Sequence, residues 1–573
     1  MPRSGEQIVP TDTPRPRPAT ELMRPERLAA IQPSRMSITR SLMNRMLRER
    51  WDIRKQRFDV DANANGTVVY SIKTPTQEFS FIAFSFPPSR TARTGRIIGR
   101  AWDMMGTLNE GPATDADVEL ARRELPKLYR GRATPKALVW ARANRSMRFF
   151  DQTLSALASG KQPPVELLAQ VCYLMRNTGL DGNGTFGTRS FPSLGPDHAL
   201  GGLLQAQMLV AYLMREYSCD LVEHLARHQS DKAVPLDPGL RRFLGVGNGS
   251  ALGLIFFVHR HPRVIGNWLA AREAAIVEAS SLPVGKGDAR VDKLLSLVNR
   301  AINFRRQDRV MYEAITNSGD IAEDLTKIAA LLTDLHATGL VGGRSETYPL
   351  HAIARCLEPK IKPEALETYY SLLIELVPEK ADALAASVGG ADEVNVVPTQ
   401  ILDELIKLIE TQYQWALDIE MSGPDAYKYI WYKSETAEEP RRGARVEVPE
   451  ALDLGFDICG GVQYLLADLR AETNKSVSVA RFLMRHPAHR YLVARIQALQ
   501  SLAYHTPHGN INAESFTPID IVRLMNSGLH GVDKTRDFLR RNLRGVLYHG
   551  APSPDDIRAG KEDFWAYPAE PTR

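Results

Sequence analysis

Tyr173-Leu-Met-Arg176-Asn177-Thr-Gly-Leu-Asp181-Gly-Asn183-Gly-Thr-Phe-Gly187-Thr-Arg189 is the stretch on which the reading of the fold turns. It continues through Pro192, Leu194-Gly195-Pro-Asp197 and Gly201-Gly202-Leu203. About 256 residues further on the same order returns: Tyr429-Ile-Trp-Tyr, Gly443-Ala-Arg445, Pro449, Leu454-Gly455-Phe-Asp457 and Gly460-Gly461-Val462. Asn248-Gly-Ser250 then precedes Phe257-Val-His-Arg260-His261-Pro262, as Asn474-Lys-Ser476 precedes Phe482-Leu-Met-Arg485-His486-Pro487. An old duplication explains this shared order most simply. One spacing departs from it. Gly202 to Asn248 is much longer than Gly461 to Asn474, so the first copy would carry an extra helix and loop over residues 216–242.

Outward from these strings the pattern reads as helix. Apolar residues recur at helical spacing over 116–129, 135–158, 164–175, 202–227, 250–259 and 262–278. Pro135, Pro164 and Pro262 suit first-turn positions. The strongest strand signal lies earlier. Asn65-Gly66 marks a hairpin turn, Val68, Tyr70 and Ile72 alternate on one face, and 78–86 follows after Thr74-Pro75. The predicted fold is therefore mainly α, with tandem-duplicated helical units and a small antiparallel β-meander near the N-terminus. Its divisions are an extended Pro/Arg-rich arm (1–36), a basic helix with the meander (37–114), copy one (115–280), a helical middle section (281–397), copy two (398–505) and a C-terminal helix with an irregular tail (506–573).

Composition narrows the class. The 573 residues are 43% hydrophobic and 24% charged, ordinary for a globular protein. Four cysteines, Cys172, Cys219, Cys356 and Cys459, lack pairing or metal spacing and favour a reducing compartment. With no N-terminal apolar segment and no apolar run long enough for a bilayer, the expected location is cytoplasmic, without membrane association. The net charge of +5 is uneven: residues 1–57 hold 13 Lys or Arg against 6 Asp or Glu, +7, which leaves −2 for the rest. A basic arm can bind nucleic acid, but a solubilising or subunit-embracing arm is the favoured reading, and homo-oligomerisation is expected.

The glycine-rich loop of the first copy is the candidate site. Its glycines let backbone approach a ligand closely, and the charged counterpart at 433–443 lacks them. Arg176 and Arg189 supply forks for an anion, Asn177 and Asn183 supply orientation, and Asp181 with His198 supply proton transfer. Competing roles are a well-capped connector for the loop, and helix-capping for Asp197, Asp457 and His198. Gly245-Val-Gly247-Asn-Gly249 reads as a loop, without the strand or acidic partner a dinucleotide site needs. His224 and His228 lie four apart, and His486 with His489 and His505 with His508 form close pairs. Pro487 and Pro507 interrupt the helices there, so Arg-His-Pro reads as a helix end and no metal ligand is assigned. Tyr427-Lys428-Tyr429-Ile-Trp431-Tyr432-Lys433 reads as an aromatic helix face packed inward.

These features point to an enzyme using acid–base chemistry (a lyase, isomerase or hydrolase) on a small polar anionic metabolite, with no identifiable cofactor. Two other readings stand beside it. One is a metal- or haem-dependent oxidoreductase using the clustered histidines. The other is a non-catalytic helical interaction protein with a basic arm.

Overall fold

The hairpin signal at Asn65-Gly66 begins a large sheet in a computed structural model of the chain. The structure describes residues 13–86, 102–125, 136–146, 149–182, 194, 197–248, 263–307, 318–388, 396–423, 430–433, 441–442, 454–498, 503–504, 545–561 and 564–569. β1 (Asp52–Val60) and β2 (Gly66–Lys73) pair antiparallel, with Val60 opposite Gly66. Between them Asp61 Oδ1 accepts the N–H groups of Asn63 (2.8 Å) and Asn65 (2.9 Å). Gly66 is required by proximity: a Cβ there would lie 1.9 Å from the Asp59 carbonyl oxygen. β3 (Glu78–Ser85), β4 (Met104–Glu110), β5 (Ala137–Arg145), β6 (Tyr173–Gly182) and β7 (Gly245–Asn248) continue the sheet. β8 (Ile430–Lys433), β9 (Arg441–Arg442) and β10 (Leu454–Asp457) form a separate three-stranded sheet in the order β10-β8-β9. β11 (Gly545–Leu547) returns to the first sheet and pairs with β7.

The main sheet has eight strands in the order β1-β2-β3-β4-β5-β6-β7-β11, curled into a half-barrel and followed by about 14 helices. Every neighbouring pair is antiparallel except β6 and β7. The parallel pair needs a crossover, and the 25-residue helix Gln205–Gln229 supplies it. From Gln205 to Cys219 this helix is buried on all sides, as an enclosed helix must be. Val68, Tyr70 and Ile72 join its core, whereas Val69, Ile82, Phe84 and Met105 on the opposite face meet Val118, Ala121 and Leu125 at the helix Asp115–Glu124. That short helix begins with a capping box between Thr114 and Asp117.

The mainly α, tandem-duplicated fold is thus wrong: the chain is mixed α/β. Residues expected to form helices over 135–158 and 164–175 instead contribute β5 and β6, with only Phe149–Ala158 and Val165–Val171 helical. The reason is burial on both sides. A strand buried on both faces shows no polar–apolar alternation and resembles a short buried helix. The two copies also fail to form like units. Tyr173 opens a strand inside the eight-stranded sheet, while Ile430 opens one in the separate small sheet. Gly201-Gly202 precedes its helix, but Gly460-Gly461 lies inside the 14-residue helix Ile458–Ala471. The aromatic segment ending at Lys433 supplies β8 where a helix was expected. The expected helix 250–259 lies outside the described residues.

The basic arm folds back on its own chain. Residues 13–36 form two short helices, Ala19–Leu22 and Pro25–Ala30, joined by extended backbone. Arg17 Nε and Nη2 donate to both oxygens of Glu273 at 2.9 and 2.6 Å, and Nη1 donates to Glu367. Arg272 Nη2 reaches Glu367 at 2.9 Å from below. Arg35 binds Asp382 with two nitrogens, at 2.8 and 3.0 Å, and buried Arg40 meets Glu375. The arm's cations therefore fasten it to the helices Arg263–Ser280, Pro363–Leu373 and Pro378–Val388. Among the described residues no helix is long and apolar enough to cross a membrane.

Candidate metal centre

The helix Ile458–Ala471 carries Asp468 on its last turn, and Glu472 follows one turn later. Ser478 caps the next helix, Val479–Arg485, through its side chain. Phe482 anchors that helix in the core. Pro487 cannot extend it, because proline lacks the N–H that the next turn would use. The chain instead makes the 3-10 turn Pro487–His489 and turns into the helix Arg490–Ala498. This bend returns His486 and His489 to Asp468, about 20 residues back in sequence.

Asp468, His486 and His489 each present a ligand atom, all within 4.8 Å of one another. His489 Nε2 lies 2.7 Å from Asp468 Oδ2, and His486 Nδ1 lies 3.5 Å from the same oxygen. On its other side His486 Nε2 is 3.6 Å from Glu472 Oε1, whose second oxygen receives Arg485 Nη2 at 2.8 Å. The rings are held by stacking. Phe482 lies 4.6 Å from His486 and 6.0 Å from His489 between centroids, tilted by 21° and 10°. Asp468 and His486 are 38% and 33% exposed, so water reaches the cluster.

Zinc-class ions bind imidazole nitrogen and carboxylate oxygen at about 2.0–2.2 Å, which places tetrahedral ligand atoms about 3.3 Å apart. The 3.5 Å between His486 and Asp468 is close to that spacing, while the 2.7 Å between His489 and Asp468 is a hydrogen bond that a metal would have to widen. Three protein ligands would leave a position for water or substrate, and Glu472 lies behind His486, on the side of Nε2.

The residues singled out from sequence lie elsewhere. Arg176 and Asn177 sit in β6, opposite Asn144 and Ala143 of β5, and Asn177 is fully buried. Asp181 is also in β6, opposite Trp140; its side chain, Asn183 and Arg189 lie outside the described residues. His198 follows in a turn against Phe79. Its Nδ1 accepts the Leu200 N–H at 3.0 Å, which leaves the ring proton on Nε2, 3.2 Å from Glu110 Oε1. Both ring nitrogens are thus engaged in hydrogen bonds. The partner, Glu110 at the end of β4, carries no sequence signal linking it to His198. His224, which the sequence paired with His228, has its Nε2 2.6 Å from the Val60 carbonyl, and burial lowers its pKa.

His486 and His489 stood out in the sequence as a pair. Asp468 and Glu472 did not, although their spacing of four residues on one helix was the available signal. No protein-family model, curated protein or solved structure matches the chain.

Proposed function

We propose that this chain is a metalloprotein whose Asp468–His486–His489 cluster holds one divalent transition metal of the zinc class. The observation that carries this reading is the convergence of two imidazoles and a carboxylate from three successive elements, with their ligand atoms within 4.8 Å of one another. His489 and His486 would bind through nitrogen and Asp468 through oxygen, while Phe482 fixes both rings. Glu472 stands behind His486, 3.6 Å from its Nε2, where it would orient that ring from outside the metal position. A zinc-class ion lowers the pKa of such a water to near 7, so the supported activity is metal-assisted hydrolysis of a small substrate. The same ligand set suits iron(II), the redox form of the reading.

Metal content after loading and desalting tests this directly. One equivalent of zinc or cobalt should remain per chain, and the bound cobalt should show the visible absorption of a four-coordinate site. His486→Ala with His489→Ala should abolish both. Retention of a full equivalent by that double variant would overturn the assignment.

A further inference from the structure

The helix Ala289–Arg306 turns one side to the core and the other to a cleft. Val291, Leu294, Val298 and Ala301 are buried in the main core. The opposite stripe recurs every three or four residues as Asp292, Ser296, Asn299, Asn303 and, just past the last turn, Gln307. These side chains line an open cleft of about 630 Å³, whose far wall is the chain at Tyr567, Pro568 and Ala569. That wall is tied to the helix. Arg300 Nε donates to the Tyr567 carbonyl at 2.8 Å, and the Phe304 and Tyr567 rings lie 5.4 Å apart. Ser296, Asn299 and Asn303 are exposed, and their side chains make no hydrogen bond to any described residue. Hydroxyls on the neighbouring helix turn back onto their own backbone, Thr326 to Ala322 and Thr333 to Ala329; that of Ser296 does not. The cleft thus offers a row of hydrogen-bonding groups that no described part of the chain uses, beside the apolar surfaces of Leu295, Phe304 and Pro568.

We propose that this cleft docks an extended polypeptide segment of a partner protein and reads it through its main chain. Asn299 and Asn303 stand about 6 Å apart along the helix axis. Two residues of an extended chain advance about 6.7 Å, and alternate residues point both N–H and C=O to the same edge. Each side-chain amide carries a donor and an acceptor, so successive amides match successive residues along that edge. Side chains on one face of the segment then lean on Leu295, Phe304 and Pro568. One charge sets the direction. Asp292 is 69% exposed, and among the described residues its ionic contact is His336, 4.0 Å away. It lies two turns before Asn299, about 10.5 Å along the axis, which is the length of about three extended residues. The partner segment is therefore uncharged where the amides grip it and carries a lysine or arginine about three residues away. None of these groups belongs to the metal cluster, so this site does not depend on that reading.

Selection from a synthetic library tests the proposal on the full chain. The probes are short acetylated and amidated peptides with lysine first and the following positions randomised among uncharged residues. Wild type should enrich a set of them over the double variant Asn299→Ala with Asn303→Ala, which folds normally because both side chains are exposed and unbonded. A selected peptide, followed by fluorescence anisotropy, should bind the double variant at least about tenfold more weakly than wild type. N-methylation of its alternate residues removes N–H donors while keeping every side chain, and should weaken binding to a similar degree. Asp292→Asn should weaken the lysine peptide several-fold and leave its norleucine counterpart unchanged. No enrichment over the double variant, or undiminished binding of the N-methylated peptide, would overturn the proposal. Preferential binding of a neutral oligosaccharide, with maltohexaose as the probe, would overturn it too, by making the row of amides a sugar site.

Discussion

Lowering the pH should loosen the C-terminal segment through one residue, His549. This side chain is fully buried against the Phe243 ring, 4.3 Å between centroids. Burial, reinforced by the nearby Arg215 guanidinium, lowers its pKa from 6.5 to about 3. The released chain takes up a proton near pH 6.5, whereas the docked one resists until about pH 3. Stability from neutral His549 is therefore complete above pH 6.5 and is lost as pH falls through that window. Between pH 7.5 and 4.5 the loss comes to about 2.7 kcal/mol, on the order of a 100-fold change in the opening equilibrium. Hydrogen exchange of peptides spanning residues 545–561, corrected for intrinsic rates, reads this opening locally. Protection should fall about 100-fold over that range in wild type and stay nearly flat in His549→Gln. Histidines elsewhere with lowered pKa, His224 and His351, remain in both proteins and cancel in the comparison. Parallel slopes for the two proteins would refute the reasoning.

Arg17→Met should destabilise the arm by about 3–5 kcal/mol, because it strips one partner from a buried ion network; proteolysis within residues 13–36 would accelerate. Burial alone would raise the pKa of Glu367, but Arg17, Arg272 and Arg27 hold it at about 2, so the arm's stabilisation is present above pH 4.5 and is lost as pH falls toward 2. Gly245→Ala should cost about 2–3 kcal/mol in urea unfolding, because its Cβ would lie 2.4 Å from the Leu547 oxygen and break the β7–β11 pairing. His198→Ala should lower stability by about 1 kcal/mol while leaving metal stoichiometry unchanged, since it severs links to Glu110, Leu200 and the Phe79 ring and none to the metal cluster.

What could be read from sequence follows from which faces are buried. β1 to β3 were legible because Val68, Tyr70 and Ile72 alternate and Asn65-Gly66 marks the turn. β5 and β6 were not, because strings such as Ala137-Leu138-Val139 and Leu174-Met175 are buried on consecutive positions and are mostly good helix formers, Val139 excepted. β7 was taken for a loop because of its glycines. Gly245 and Gly247 are there for contact, the first against the Leu547 oxygen and the second against the Tyr173 ring, 2.9 Å from a would-be Cβ. The arm's fate was equally hidden. Its cations looked free because Glu273, Glu367, Glu375 and Asp382 lie more than 250 residues away, and only tertiary packing brings them together. The metal cluster was half legible. His486 and His489 are visible as a pair, but the return of Asp468 depends on the bend at Pro487.

The two ends of the chain solve one problem that the curled sheet creates. A half-barrel leaves two open edges, and an exposed edge pairs readily with other chains. On one side β11 pairs with β7 and becomes the sheet's margin, only three residues long. The segment after it is then pinned by the central helix: Tyr212 donates to the Pro552 carbonyl at 2.9 Å, and Arg215 donates to Ala551 at 2.9 Å and Leu244 at 2.6 Å. Beyond that segment the capped helix Pro554–Ala559 packs on β1 and on the helix Ile38–Glu49, and Arg558 meets Asp52 at 2.9 Å. One C-terminal stretch thus forms one margin of the sheet as β11 and touches the other, β1, through a helix. Arg215 is central to this arrangement because a buried carbonyl needs a donor, and one guanidinium serves several carbonyls at once. The N-terminal arm meanwhile binds the helices that follow the sheet. The chain's ends therefore hold together parts that the local sequence of the sheet and of the helices does not join, and the cohesion of the whole rests on charges buried at those two attachments.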